Sequence, residues 1–120
     1  MTIKVHGHPL SPFVRKVLMT LEIKGIQYES IPVFPGDSSP AFRAMSPLGK
    51  IPVLLADDGR AVYDSAVIVE YLDGLVAEPR LIPQAFDARI EVKRWEALGD
   101  GIADATVLIS HDYRKPEDKR

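Results

Sequence analysis

The sequence contains no cysteine among its 120 residues. Without a thiol, the chain has no disulfide, no zinc–thiolate site and no cysteine nucleophile. Its three histidines, His6, His8 and His111, are not paired at the spacing of metal ligands on a helix. We therefore expect a protein that binds no metal and has no thiol chemistry of its own.

A strong net charge and long apolar runs are also missing. The formal net charge is −2, which gives no electrostatic reason to expect a nucleic-acid partner. The longest apolar runs are too short to span a membrane, and the N-terminus lacks the apolar core of a signal peptide. With 46% hydrophobic and 27% charged residues the composition is ordinary, and we expect a cytoplasmic globular protein.

The first part of the chain has the pattern of a β-α-β unit. Residues 2–6 alternate between polar and apolar side chains, as in a half-buried strand. An apolar face with helical spacing follows, between Ser11 as a good N-cap and Gly25 as a stop. Residues 26–33 alternate again. Two strands joined by a helix are expected to be parallel.

The next part predicts a short helix, a hairpin and a second full helix. The short helix is expected to begin at Ser39-Pro40, and "PVLLA" and "RAVYD" predict strands joined by the turn "DDG". "DSAVIVEYLDG" then predicts a helix that Asp64 or Ser65 caps and Gly74 ends. Pro52 is unusual at the head of a strand, because it removes a hydrogen-bond donor from the sheet.

From about residue 85 the pattern becomes that of one long helix. Gly99 and Gly101 weaken it by about 1 kcal/mol each relative to alanine. Its apolar residues recur at alternating spacings of three and four, at Trp95, Leu98, Ile102, Ala105 and Ile109. We expect this apolar seam to need a partner, because it is too large for a lone helix to leave in water.

Two separated motifs resemble those of one known family. "SPLGKIPVLLADDGRAVYDSAVIVEYL", residues 46–72, resembles the signature of the glutathione S-transferase N-terminal domain. "HPLSPFVRKV", residues 8–17, is similar to the first helix start of bacterial members. The resemblance implies an α/β fold, with a thioredoxin-like βαβ-α-ββα domain followed by a long helix from an incomplete all-α domain.

The resemblance also implies a domain organisation. Residues 1–76 are expected to form the thioredoxin-like glutathione-binding domain, and residues 77–84 a linker. Residues 85–120 are expected to hold the first helix and the tail of a truncated all-helical C-terminal domain. Because that domain supplies most of the electrophile pocket in the family, a truncated chain is expected to have impaired activity.

The resemblance explains the unusual position of Pro52, because it implies a cis Ile51–Pro52 bond. Such a bond costs only about 0.5–1 kcal/mol before proline. The N–H and C=O of Ile51 are then expected to pair with the cysteinyl unit of glutathione. The resemblance further puts the γ-glutamyl carboxylate on the N–H and hydroxyl of Ser65, at a helix N-terminus, and the γ-glutamyl ammonium beside Asp64.

Two residues of this sequence bear on the binding of the glycine carboxylate of glutathione. Lys50 either reaches that carboxylate or is simply solvated, and the two alternatives stay open. Several relatives have a basic residue two positions before the "S-x-x-F" of the short helix, where this chain has Asp37. A negative charge at that position is expected to lower the affinity for glutathione.

Ser11 is the catalytic candidate, because the chain resembles family members that use a serine. A thiol with its usual pKa of about 8.5 is only slightly ionised at neutral pH. A hydroxyl donor at a helix N-terminus stabilises the thiolate over the thiol and lowers that pKa. The alternative is that Ser11 is only a helix cap, and the same alternative stands for Asp64 and Ser65.

The resemblance leaves two functions open. The first is a homodimeric glutathione transferase, with glutathione as co-substrate, that conjugates the thiol to an electrophilic small molecule in detoxification. The alternative is a non-catalytic glutathione-binding or protein-interaction module. The absence of cysteine excludes a thiol–disulfide oxidoreductase in its usual mechanism. No metal, nucleic acid or membrane is expected as a partner.

Overall fold

A computed structural model describes residues 2–34 and 36–119 of the chain. In chain order its elements are β1 (Ile3–Gly7), α1 (Pro12–Lys24), β2 (Tyr28–Pro32), α2 (Pro40–Met45), β3 (Val53–Leu55), β4 (Ala61–Val62), α3 (Ser65–Leu75) and α4 (Phe86–Tyr113), and a short 3-10 helix follows (Glu117–Lys119). The chain divides into two compact units, Met1–Leu81 and Ile82–Arg120. Within the described residues, no helix combines the length and the apolar character needed to cross a membrane.

The strands form one four-stranded sheet in the order β2-β1-β3-β4. β1 and β2 are parallel, with Ile3 opposite Tyr28 and Gly7 opposite Pro32, so the predicted β-α-β unit is confirmed. β3 is antiparallel to both β1 and β4. Three predicted strands are longer than the observed ones, because β2 begins only at Tyr28, β3 has three residues and β4 has two.

Each face of the sheet has its own apolar cluster. The face under α1 and α3 buries the larger cluster, which includes Ile3, Val5, Val17, Leu21, Leu54, Ile68 and Leu72. The opposite face is covered by α2, and its cluster consists of Val33, Phe42 and Val53. Because β1 contributes side chains to the first face from alternate positions, its register fixes how α1 and α3 lie on the sheet.

The predicted limits of α1 are confirmed. Ser11 is the N-cap, Pro12 is the first helical residue, and Gly25 ends the helix with a left-handed φ of 67°. The predicted end of α3 is wrong, since the helix continues through Gly74 to Leu75. Gly74 does not have the positive φ of a helix-ending glycine, and the buried Asp73 beside it ties the last turn to the rest of the domain.

A buried ion pair joins the end of α1 to the end of α3. The side chains of Lys24 and Asp73 are 0% and 2% exposed, and Lys24 Nζ lies 2.9 Å from Asp73 Oδ1. Lys24 Nζ also donates to the Pro79 carbonyl oxygen at 2.8 Å, and Asp73 Oδ1 accepts from the Leu81 N–H at 2.8 Å. The Arg80 guanidinium lies 3.6 Å from Asp73 Oδ2. The pair therefore anchors the segment that follows α3, and no sequence pattern predicted it.

The predicted long helix is confirmed as α4, which has 28 residues and none that is buried. Gly99 and Gly101 lie inside it without interrupting it. The larger side chains of the predicted seam are mostly exposed, with Trp95 at 66% and Ile102 at 60%. The partner for this apolar seam stays a prediction.

Candidate functional site

The sheet topology brings three chain segments to one end of the sheet. His6 near the end of β1 pairs with Val53 at the start of β3. Val62 at the end of β4 pairs with Leu54 near the start of β3. Because β3 runs opposite to β1 and β4, the loops after β1, before β3 and after β4 all lie at the same end.

The predicted site residues lie in these three loops and at the first residue of the helix that follows one of them. Ser11 follows β1, Lys50, Ile51 and Pro52 precede β3, and residues 64–65 follow β4. Two helices, α1 and α3, also begin at this end, and the first N–H groups of a helix have no partner within it. Free N–H groups and the positive ends of two helix dipoles make this end of the sheet favourable for an anionic ligand.

Ser11 is held by the first turn of α1. Its Oγ accepts a hydrogen bond from the Val14 N–H at 3.3 Å, and the residue is half-buried. Pro12 occupies the first helical position and has no N–H to compete for that oxygen. A hydroxyl that accepts one bond still has its proton to donate. Ser11 can therefore act as helix cap and as donor to a ligand at the same time.

Gly7 sets how closely α1 approaches the end of β1. A Cβ atom at Gly7 would lie 2.5 Å from Val14 Cγ2, closer than two such atoms come in real proteins. Only a residue without a side chain lets the first turn of α1 lie this near the strand. The sequence prediction missed this role, although a glycine at the very end of a strand was the available signal.

We expect Gly7→Ala to lower the free energy of unfolding by about 1–3 kcal/mol, because the new methyl group overpacks against Val14. Gly74→Ala is the matched control, since no neighbouring atom lies within 4 Å of its Cβ position. The control should stabilise α3 by about 0.5–1 kcal/mol. Urea denaturation measures both, and a Gly7→Ala variant as stable as the wild type would contradict the close approach.

The loop before β3 is closed by Ser46. Its side chain is buried, and Oγ donates to the Lys50 carbonyl at 2.9 Å and accepts from the Lys50 N–H at 3.1 Å. The Ile51–Pro52 bond is cis, as the resemblance implies. Pro52 is buried and Ile51 is half-buried, while the Lys50 side chain is exposed. The loop therefore has a hydrogen-bonded backbone next to an exposed cationic side chain.

Both an acidic and a basic side chain, Asp37 and Arg43, belong to the region around this loop, whereas the sequence prediction considered only the acidic one. Hydrogen bonds from Ser39 hold the pKa of Asp37 below its usual value, and its Oδ1 accepts the Ser39 N–H at 2.8 Å just before α2. The Arg43 guanidinium packs against Gly49, where a Cβ atom would lie 2.5 Å from it. A second cation thus lies beside the loop that carries Lys50, and the sequence prediction did not include it.

At the start of α3, the two predicted cap residues have different roles. Asp64 is the N-cap, and its Oδ1 accepts the Ala66 N–H at 3.1 Å. Asp64 is exposed, so its charge faces solvent at this end of the sheet. Ser65 is the first helical residue and only 3% exposed, and its N–H is among those without an intrahelical partner.

His6 is buried beneath the same end of the sheet. Its Nδ1 is the one buried side-chain nitrogen or oxygen without a hydrogen-bond partner in the described part of the chain. Burial, together with the positive charge of Lys4, holds the pKa of His6 below its ordinary value. The ring is therefore neutral at neutral pH, which reduces the cost of burying it.

A shallow groove of about 700 Å³ lies at the other end of the sheet, between the end of α1 and the start of β2. Its lining includes Glu22, Gly25, Ile26 and Tyr28. Tyr28 pairs with the first residue of β1, so the groove is remote from the loop that carries Ser11. None of the predicted site residues lines it.

A mixed sheet of this order, with two helices on one face, a third on the other and a cis-proline before β3, defines a thioredoxin-like domain. The family model described as "Glutathione S-transferase, N-terminal domain" matches residues 5–80. The chain therefore belongs to the glutathione S-transferase family.

The relatives of the chain are longer than the chain itself. An uncharacterized GST-like protein, YibF of Escherichia coli, is 35% identical over 94% of this chain and 56% of its own length. A glutathione S-transferase from Methylobacillus flagellatus, solved with glutathione bound, has a TM-score of 0.87 and 42% identity, covering 98% of this chain and 58% of that one. A Pseudomonas fluorescens family member with bound glutathione has a TM-score of 0.85 and 36% identity, at 98% and 60% coverage. The chain thus spans somewhat more than half the length of these relatives.

Proposed function

We propose that the chain binds glutathione at the shared end of β1, β3 and β4 and activates its thiol, as a glutathione S-transferase-type protein. The observation that carries this proposal is the convergence of Ser11, Ile51 and Ser65, in two loops and at the start of α3, at one end of the sheet. Two relatives that cover 98% of the chain were solved with glutathione bound, which supports the same ligand here.

The tripeptide would lie across this end of the sheet with each charged group near a partner. Its cysteinyl backbone would pair with Ile51, whose position ahead of β3 lies outside the strand itself. Its γ-glutamyl carboxylate would bind the N–H of Ser65 at the start of α3, and its ammonium would lie beside Asp64. Its glycine carboxylate would be attracted by Lys50.

Ser11 would activate the thiol. The hydrogen bond from Val14 fixes the position of Oγ, so the hydroxyl proton can be donated to sulfur. A donor stabilises the thiolate more than the thiol, and the start of α1 adds a favourable dipole. The pKa of the bound thiol should therefore fall below its usual value.

Conjugation to an electrophilic small molecule would follow, in a homodimeric, cytoplasmic enzyme of detoxification. These finer features rest on the family alone. The second candidate is a glutathione-binding or interaction module without turnover. The exposed apolar residues of α4, such as Trp95 and Leu108 at 66% and 70%, favour that candidate because they suit a protein contact.

We expect Asp64→Asn to weaken glutathione binding about tenfold, because the amide keeps the helix cap but loses the charge that attracts the ammonium. Isothermal titration calorimetry measures the affinity, and thermal unfolding checks that the cap is preserved. Asp58→Asn is the matched control, since this exposed aspartate lies in the turn between β3 and β4, away from the site.

Equal affinity in the wild type and Asp64→Asn would contradict the proposed orientation of the ligand. Absence of saturable binding in the wild type would contradict the proposed function itself. Saturable binding without conjugation to a model electrophile would favour the module over the transferase.

A further inference from the structure

Residues 8–11 form a tight turn between β1 and α1. The Ser11 N–H donates to the His8 carbonyl oxygen at 2.9 Å, which closes the turn. Pro9 occupies the second position, where its restricted φ favours a turn. The backbone of Ser11 is thus fixed on its N-terminal side by His8.

The His8 side chain makes a second bond within the same turn. Its Nδ1 accepts the Leu10 N–H at 3.1 Å. The pattern is that of an Asx turn, with an imidazole nitrogen in place of the side-chain oxygen. Since Nδ1 is the acceptor, the proton of the neutral ring lies on Nε2. The ring also lies against Phe34, with the two centroids 4.9 Å apart.

Arg15, in the first turn of α1, makes two further hydrogen bonds to the backbone of residues 8–11. Arg15 Nε donates to the Pro9 carbonyl oxygen at 2.6 Å, and the Arg15 N–H donates to the Ser11 carbonyl oxygen at 3.1 Å. Backbone groups of Pro9, Leu10 and Ser11 are therefore bonded within the chain. A turn with this many internal bonds has one preferred geometry.

We infer that His8 is a positioning residue for Ser11, an inference that rests on the proposed function. A hydroxyl that stabilises a thiolate must be held in place before the ligand arrives, because small misplacements reduce such stabilisation strongly. The direction of Ser11 Oγ depends on the backbone of residues 8–11 as well as on the hydrogen bond that Oγ accepts from the Val14 N–H. His8 acts through that backbone and is assigned no contact with the thiol.

Two substitutions distinguish the role of His8 Nδ1 as a hydrogen-bond acceptor from the role of its ring in packing. His8→Phe keeps an aromatic ring beside Phe34 and removes the acceptor for the Leu10 N–H. His8→Asn loses the ring but supplies an oxygen that can accept the same N–H. Rescue by asparagine is therefore expected for a positioning role, and it would not be expected if His8 only packed against Phe34.

The experiment measures thiolate absorbance at saturating glutathione and fixed neutral pH, and hydrogen exchange at the Leu10 amide. In His8→Phe, the ionisation constant of the bound thiol should fall about fivefold, and exchange at Leu10 should accelerate by about the same factor, as the loss of one neutral hydrogen bond implies. His8→Asn should keep wild-type values within about twofold. Thermal unfolding of both variants shows whether either has lost its fold.

The outcomes separate this inference from the proposed function. Equal thiolate in wild type and His8→Phe would overturn the role of His8 and leave the proposed function intact. A His8→Asn variant that folds but behaves like His8→Phe would also overturn it, because the acceptor would then be irrelevant. A wild-type chain that forms no thiolate with glutathione would overturn the proposed function and this inference with it.

Discussion

Replacing Asp73 with alanine should lower the free energy of unfolding by about 3–5 kcal/mol. The change leaves the fully buried ammonium of Lys24 without its carboxylate, and it removes the acceptor for the Leu81 N–H. A buried charge without its partner is far more costly than the loss of an exposed pair. Urea denaturation followed by far-ultraviolet circular dichroism measures the effect.

Arg80→Ala is the matched control for this prediction. Arg80 approaches the other Asp73 oxygen only to 3.6 Å and is 35% exposed, so its removal should cost less than about 1 kcal/mol. Lys24→Met combined with Asp73→Ala should cost less than the sum of the two single changes, because no unpaired charge remains. An Asp73→Ala variant within about 1 kcal/mol of the wild type would show that the pair does not anchor the end of α3.

Replacing Ser11 with alanine should reduce the ionisation constant of the bound glutathione thiol about 10- to 100-fold, because a hydrogen bond to a charged group contributes about 1.5–3 kcal/mol. Thiolate absorbance of the glutathione complex, titrated with pH, measures this constant directly. The measurement needs no electrophile, so it reports on the activation of the thiol alone.

Ser39→Ala provides a close structural match to Ser11→Ala. Ser39 also precedes a proline at the first position of a helix, and its Oγ accepts the Phe42 N–H at 3.3 Å, the same distance as in the Ser11 cap. Both changes remove a cap and should cost about 0.5–2 kcal/mol of stability. Only Ser11→Ala should change the ionisation constant of the bound glutathione thiol. Equal thiolate in the two variants would mean that Ser11 is a cap and nothing more.

The parts of the fold that sequence could predict are those set by local signals. The limits of α1 follow from Ser11, Pro12 and Gly25, and the parallel pairing of β1 and β2 follows from the helix between them. The positions of the loops that carry the site could be predicted from the same local signals, because these signals mark where each helix and strand begins and ends. Once the strand order is right, topology alone brings the loops of Ser11 and Ser65 to one end of the sheet.

The features that sequence missed are of two kinds, and the first depends on neighbours far along the chain. Lys24 and Asp73 are 49 residues apart and look like ordinary surface charges of two helices. Gly74 looks like a helix stop, yet the anchored turn beside it carries α3 one residue further. The second kind is local, because Gly7 lies against Val14 and His8 Nδ1 accepts a hydrogen bond within its own turn. The glycine at the end of a strand was an available signal, whereas the bond to His8 depends on a turn geometry that residue spacing does not reveal.

The most direct test of the central claim is a heteronuclear NMR titration of the chain with glutathione. Binding at the shared end of the sheet predicts saturable shifts at the amides of Ser11, Ile51 and Ser65. The amides of Gly25 and Tyr28, beside the groove at the other end, should stay unchanged. Shifts confined to Gly25 and Tyr28, or no saturable shift at all, would contradict the proposed site.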